Sequence, residues 1–248
     1  MNVIVLGGTK GMGRSVARRL AERGDRVFLL GRDPADLEAS NADLRARAGE
    51  RGTTAEGDHA HCDLADHATL QPALSAAREA LGKVDCVVVT AAMFASQDAL
   101  EADTDLARRL LVANLANTIA FCEFTRKDAL QGRGTLCVFS SVAGDRGRKP
   151  VGIYGASKAG LSHYLDALDH KHRAEGLVTI CVKPGFVRTG MTAGLKPPPF
   201  AGEPEAVATD VVRAIDRGTP LIYTPAIWRL VMLAIRHLPR FVMRKIAF

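Results

Sequence analysis

The feature that most constrains this chain is a series of short, uninterrupted apolar runs separated by longer stretches with helical spacing. Val3–Leu6, Arg26–Gly31, 55–62, Cys86–Val89, Thr135–Phe139, Val178–Val182 and Leu221–Tyr223 read as strands. Between them, 12–24, 34–48, 66–81, 104–129, 155–175 and 203–217 read as helices. The strand runs are rich in β-branched residues and do not alternate with polar ones, which marks strands covered on both faces and therefore parallel. Strands that alternate with helices build a doubly wound α/β fold. The expectation is one seven-stranded parallel sheet with helices on both faces. Residues 1–225 form the domain, and 226–248 are a basic amphipathic extension of it.

Composition narrows the class. With 248 residues, 47% apolar and 24% charged, the chain can bury a real core and is neither disordered nor fibrous. Its five cysteines are far apart, without a CxxC pair, and read as reduced core residues of a cytosolic protein. The apolar run at 226–235 is broken by Arg229 and is shorter than the about 20 residues a bilayer span takes. Met1 leads straight into Val3–Leu6 with no basic segment, so no signal peptide is expected. The net charge of +6 is concentrated at one end: 217–248 holds Arg217, Arg229, Arg236, Arg240, Arg244 and Lys245 and no acid. That pattern argues against a nucleic-acid surface, which would be spread over the domain or interleaved with aromatics.

The first chemical signal is the turn after the first strand, LGGTKGMG at 6–13. Gly7, Gly11 and Gly13 let the backbone approach a ligand with no Cβ in the way. The free N–H groups at the following helix start then face an anion. This arrangement suits the pyrophosphate of a dinucleotide. Strand two ends in Gly31-Arg32, where NAD-specific sites carry an acid for the ribose hydroxyls. Arg32 offers a bidentate cationic fork to a 2′-phosphate, and Lys10 adds a second charge. Both point to NADP(H); Asp33 points the other way.

The second signal is Tyr154-Gly-Ala-Ser-Lys158. Tyr154 and Lys158 share a helix face, and an ammonium near a phenol lowers its pKa from about 10 toward the range of a working acid–base. Ser141, just after strand five, is placed to bind a carbonyl oxygen.

On these residues the chain resembles the short-chain dehydrogenase/reductase family over essentially its whole length, with the Rossmann fold that implies. The resemblance maps the glycine motif onto Gly7, Gly11 and Gly13, the adenine-ring acid onto Asp63, and the catalytic tetrad onto Asn114, Ser141, Tyr154 and Lys158. The segment that holds the nicotinamide amide maps onto Pro184, Gly185 and Thr189. Thr9, Met12, Leu64, Ala91 and Val187 join the cofactor contacts, with Tyr154 and Lys158. The implied reaction is hydride transfer from NADPH to a ketone. Tyr154 donates the proton, Lys158 tunes Tyr154 and bonds the nicotinamide ribose, Ser141 orients the carbonyl, and Asn114 supports a water chain. Two positions depart from the pattern. Leu6 replaces a threonine, and Val89-Thr90-Ala91-Ala92 lacks an amide that normally braces the strands.

The C-terminal part, 140–248, resembles reductases similar to decaprenylphospho-erythro-pentofuranosid-2-ulose 2-reductase, which reduce a sugar ketone on a polyprenyl phosphate. At about 100° per residue, Arg229, Arg236 and Arg240 fall within about 40° of one another and Arg244 roughly 60° from Arg229. This basic stripe on an apolar helix, interrupted at Pro239, suits a membrane interface, at the inner face of the membrane. A helix packed on the core or on a second subunit, with the stripe facing water, fits equally. Other apolar ketones, 3-ketoacyl or steroid-like, fit the same loop at 190–204, which carries Lys196-Pro-Pro-Pro-Phe200. Met191 and Phe200 either line the substrate mouth or pack that loop. By analogy, 104–129 and 155–175 form a homodimer or homotetramer interface.

Two further signals are declined. His59-Ala-His61-Cys-Asp63 resembles a metal motif but continues with Leu64, so no metal is expected. His170 and His172 read as a surface pair. Two readings of another class stay open: a non-catalytic NADP-binding regulator, and a membrane adaptor built on the tail.

Overall fold

The computed structural model describes residues 1–49 and 53–246. The elements are β1 (Asn2–Leu6), α1 (Gly11–Glu22), β2 (Arg26–Gly31), α2 (Pro34–Ala48), β3 (His59–His61), α3 (Leu70–Leu81), β4 (Cys86–Val89), α4 (Gln97–Ala102), α5 (Thr104–Leu111) and α6 (Thr118–Phe124). They continue with β5 (Gly134–Phe139), α7 (Gly152–His172), β6 (Leu177–Pro184), α8 (Pro204–Arg217), β7 (Leu221–Thr224), α9 (Ile227–His237) and α10 (Arg240–Met243). The seven strands form one parallel sheet in the order β3-β2-β1-β4-β5-β6-β7. The order reverses between β1 and β4, and at such a switch point the strand ends open a crevice for ligands.

The unbroken strand runs are explained by two cores. Ile4, Leu6, Val87 and Val89 pack toward α3, α6 and α7, while their neighbours Val3, Val5, Cys86 and Val88 pack toward α1, α2 and α8. Successive side chains leave a strand on opposite faces, and here both faces are dry. All five cysteines are free and buried in these cores. Burial pushes the Cys62 and Cys86 thiols up to about 12, so they stay protonated and unreactive at neutral pH.

Local chemistry moves several boundaries. The third strand is shorter than 55–62 because Asp58 turns the chain first. Its carboxylate accepts from Ala55 N and from both Nε and Nη2 of Arg26. A helix that the sequence did not announce, α4, starts at Ser96, whose hydroxyl accepts from Ala99 N. The stretch 104–129 is helical throughout but holds two π segments, Val112–Asn117 and Thr125–Ala129. Such widened turns often mark functional sites.

The tail is not one helix. It breaks at Leu238 and Pro239, and α10 starts on a new axis. The expected four-arginine stripe is therefore divided: Arg229 and Arg236 lie on α9, Arg240 and Arg244 beyond the break. Trp228, Met232 and Ile235 bury one side of α9 against Val142, Phe186 and Tyr223. His170 is exposed as expected, but His172 is buried and its Nδ1 lies 2.8 Å from a Glu175 carboxylate oxygen. The surface pair is thus a single surface histidine. No helix among the described residues is long and apolar enough to cross a membrane.

Candidate active site

The glycine turn sits at the C-terminal end of β1, at the switch point. Gly7 has φ +91°, a conformation that favours glycine. A Cβ on Gly13 would lie 2.2 Å from the Gly7 carbonyl oxygen, so the turn closes on its own backbone. Lys10 is the N-cap of α1, makes no side-chain cap, and has no acid in the first turn after it. The first N–H groups of α1 are thus left to an anion. This cradle fits a dinucleotide pyrophosphate.

Thr90 braces the turn. Its Oγ1 lies 3.1 Å from the carbonyl oxygens of both Leu6 and Gly7. The expected loss of a brace is therefore corrected: a hydroxyl one strand over does the work of the missing amide. Ala91 N also donates to Leu6 O. Thr9 reaches toward Gly31, and the Thr189 methyl lies over Gly11. Met12 is half-buried against the second core.

Arg32 is exposed just beyond β2, and its carbonyl oxygen lies 3.0 Å from His61 Nδ1 at the end of β3. His61 thus anchors the backbone that carries the guanidinium, a role hidden in a segment that resembled a metal motif. Asp33 caps α2 by accepting from Asp36 N. Lys10 is less available than its sequence position suggests, because its Nζ pairs with Asp36 at 2.6 Å. Beside them, Asp63 Oδ1 accepts from Ala65 N, and the Leu64 carbonyl accepts from the buried Asn117 Nδ2. Asn117 ties the π segment to the turn after β3 and was not foreseen.

The tetrad lies at the other end. Asn114, fully buried, spans the Met93 backbone: Oδ1 accepts from Met93 N and Nδ2 donates to Met93 O. Tyr154 stands in the first turn of α7, edge-on to Phe94 with ring centroids 5.2 Å apart. Two close approaches put Ser141 within hydrogen-bonding reach of Tyr154. A Cβ on Gly155 would lie 2.8 Å from Ala143 O, and one on Gly144 would lie 2.7 Å from Ala159 N. The loop after β5 can therefore rest directly on α7. Gln97 completes the support by accepting from Ile153 N at the start of α7.

The electrostatics correct one expectation. Protein packed around the half-buried Tyr154 pushes its hydroxyl up to about 12, against a smaller downward pull from the Ser141 hydrogen bond. Burial brings Lys158 down to about 8, and its Nζ donates to Phe139 O at 2.9 Å, 5.9 Å from the Tyr154 ring centre. In the ligand-free chain the burial of Tyr154 thus outweighs the nearby ammonium, which is directed at the Phe139 carbonyl.

At the end of β6, Pro184 closes the strand, and Gly185 N donates to Thr224 O. Val187 bridges to Gly202, and Gly202 N donates to Phe186 O. These contacts close the base of the proline-rich loop. Met191 and Phe200 are both exposed on it.

The sequence and fold match known proteins throughout. A family model described as short chain dehydrogenase matches residues 1–199. An uncharacterized oxidoreductase of Mycobacterium tuberculosis is 33% identical, covering 98% of this chain and 96% of that protein. A 3-oxoacyl-[acyl-carrier-protein] reductase of Bos taurus is 32% identical, covering 77% of each. Among solved structures, a short-chain type dehydrogenase/reductase from Mycobacterium ulcerans superposes with TM-score 0.78 at 22% identity, covering 89% of this chain and 86% of that one. An actinorhodin polyketide ketoreductase with NADPH superposes with TM-score 0.77 at 24% identity, covering 89% and 94%.

Proposed function

The chain belongs to the short-chain dehydrogenase/reductase family, and on that premise we propose that it is an NADPH-dependent reductase of an apolar ketone. The observation that carries this reading is Tyr154 and Lys158 one turn apart in the first turns of α7, with Lys158 buried and the loop after Ser141 packed directly on that helix. When bound, the nicotinamide cofactor supplies the hydride.

The chain's own residues do the rest. The α1 N-terminus and the Gly7–Gly13 turn hold the pyrophosphate, Asp63 and Leu64 flank the adenine, and Arg32 takes the 2′-phosphate. Pro184, Gly185, Val187 and Thr189 position the nicotinamide amide. Ser141 and Tyr154 both hydrogen-bond the ketone oxygen, and Tyr154 gives its proton to the developing alkoxide. A tyrosine held above its usual pKa is fully protonated at neutral pH, as a general acid must be. Lys158 replaces its Phe139 partner with the ribose hydroxyls, and Asn114 holds the loop at Met93 against the site.

The substrate reading is a ketone on a large apolar group. The exposed Met191, Leu195 and Phe200 on the loop over the site support it. A sugar ketone on a polyprenyl phosphate is the form implied by the C-terminal resemblance; the likeness to a 3-oxoacyl reductase supports a 3-ketoacyl group instead. A cytoplasmic enzyme resting on the inner membrane face goes with the exposed Leu230, Leu233, Arg229 and Arg236 of α9. A homodimer or homotetramer through α5, α6 and α7 completes the reading. Sedimentation as a monomer at micromolar concentration would remove that last part.

Tyr154→Phe tests the function. We expect NADPH binding to be kept while ketone-dependent NADPH oxidation falls by about 10²–10⁴-fold. Unchanged turnover in Tyr154→Phe would overturn the reading, and a regulator would keep its role in the variant.

A further inference from the structure

The loop between Ser141 and Tyr154 meets the end of the tail, and the two flank an open recess of about 480 Å³. Its cations are Arg146, Arg148 and Lys149 from the loop, and Arg240 and Arg244 from the α10 segment. Among the described residues no carboxylate lines it. The nearby Asp145 is buried and already engaged by Lys183 Nζ and the Tyr223 hydroxyl.

The cavity is a built feature. Arg146 Nη2 donates to Leu238 O and Lys149 Nζ donates to Arg244 O, so each wall holds the other. Burial of Arg148 pulls its guanidinium below the ordinary value, against a smaller upward pull from Asp145. Like charges confined in one recess raise the local potential and favour an anion there. Guanidinium groups present the paired N–H donors that phosphate oxygens accept. The volume falls in the range of small-molecule sites.

We propose that this cavity is a phosphate subsite, separate from the nucleotide cradle, that holds a phosphate or pyrophosphate group carried by the ketone substrate. Arg146 is five residues after Ser141 and Lys149 five before Tyr154. Five residues reach at most about 18 Å, so one extended ligand spans both places. The link to the ketone rests on the reductase reading; the anion site itself does not.

The test uses inorganic pyrophosphate as the probe, by calorimetry at low ionic strength, with the nucleotide site first saturated by NADP⁺. The expected result is saturable binding that weakens about tenfold or more in Arg240→Gln/Arg244→Gln. Arg229→Gln, on α9 away from the cavity, should bind pyrophosphate as the unmodified chain does, and NADP⁺ affinity should be equal in all three. In steady-state assays pyrophosphate should compete with the ketone. Absent binding at millimolar pyrophosphate, or equal loss in Arg229→Gln, would overturn the subsite. Binding that weakens as expected but does not compete with the ketone would make the cavity a free-anion site and overturn its assignment to the substrate. Binding to vesicles of anionic but not zwitterionic lipid, with no pyrophosphate binding, would assign the cations to a membrane surface and overturn it too. Should no ketone be turned over, the reductase reading fails while the calorimetry still scores the cavity.

Discussion

Trp228 of α9 lies directly on the backbone of Gly185: a Cβ there would sit 2.1 Å from the indole Nε1, which itself donates to Phe200 O at 3.1 Å. One side chain thus fixes the tail helix, the turn after β6 and the loop over the site. Replacing Trp228 by Ala leaves a cavity at that junction and should cost about 3–5 kcal/mol. At about 2–4 °C per kcal/mol for a chain of this size, thermal melting should fall by roughly 10 °C. NADPH affinity should fall with it, whereas a tail that merely rests on the surface would leave both unchanged.

Arg32 and Lys10 should contribute unequally to cofactor choice. Arg32 is exposed on an anchored backbone, while Lys10 is paired with Asp36. In fluorescence titrations, Arg32→Ala should weaken NADPH binding about 10- to 100-fold, from charge-assisted bonds worth about 1.5–3 kcal/mol. NADH binding should be unchanged. Lys10→Ala should cost about fivefold at most. Equal losses for the two cofactors would remove the 2′-phosphate from the argument.

Thr90→Val should loosen the glycine turn without changing cofactor choice. It deletes the one hydroxyl donor shared by the Leu6 and Gly7 carbonyls and keeps the shape. The expected loss is about 1–2 kcal/mol in unfolding free energy. NADPH and NADH should be weakened by the same factor.

The pH dependence should differ by direction of reaction. Reduction needs the Tyr154 proton, which is present below the tyrosine pKa, and in the ligand-free chain that value is raised by burial to about 12. Reduction should therefore hold through neutral pH. Alcohol oxidation needs the phenolate and should rise with pH. Ultraviolet titration of the ligand-free chain against Tyr154→Phe should show no Tyr154 ionisation below about pH 10; ionisation near neutrality would contradict the geometry. For stability the two groups have opposite signs. The raised Tyr154 contributes stability that is lost as pH climbs from its usual value of about 10 toward about 12. The depressed Lys158 carries a penalty that is complete below about 8 and fades above it.

The sheet was legible because doubly buried parallel strands leave unbroken apolar runs that nothing else produces, and the Gly7–Gly13 turn and the Tyr154–Lys158 spacing are local. What escaped the sequence depends on tertiary partners. Thr90 braces a turn more than eighty residues away in the chain, so its hydroxyl looked like a lost amide. His61 matters through the Arg32 carbonyl, and no spacing rule announces a backbone contact. The Lys158 effect on Tyr154 was read from proximity alone, whereas in the ligand-free chain the burial of Tyr154 itself dominates. Pro239 announced the interruption of the tail helix, but periodicity could not say where the chain goes beyond it, and there Arg240 and Arg244 line the recess beside Arg146 while Arg229 stays on α9.

The contact between Val187 and Gly202 makes the chain that follows Thr189 within that span an interchangeable cassette. The ends of the span are pinned to each other by backbone bonds, so whatever lies between them starts and finishes at the same two points. Doubling such an excursion costs only about 0.6 kcal/mol in closure entropy. The mouth of the site can therefore be lengthened, shortened or recoloured while the glycine cradle and Tyr154 stay where they are, and relatives built on this frame are free to diverge in appetite without relearning how to fold.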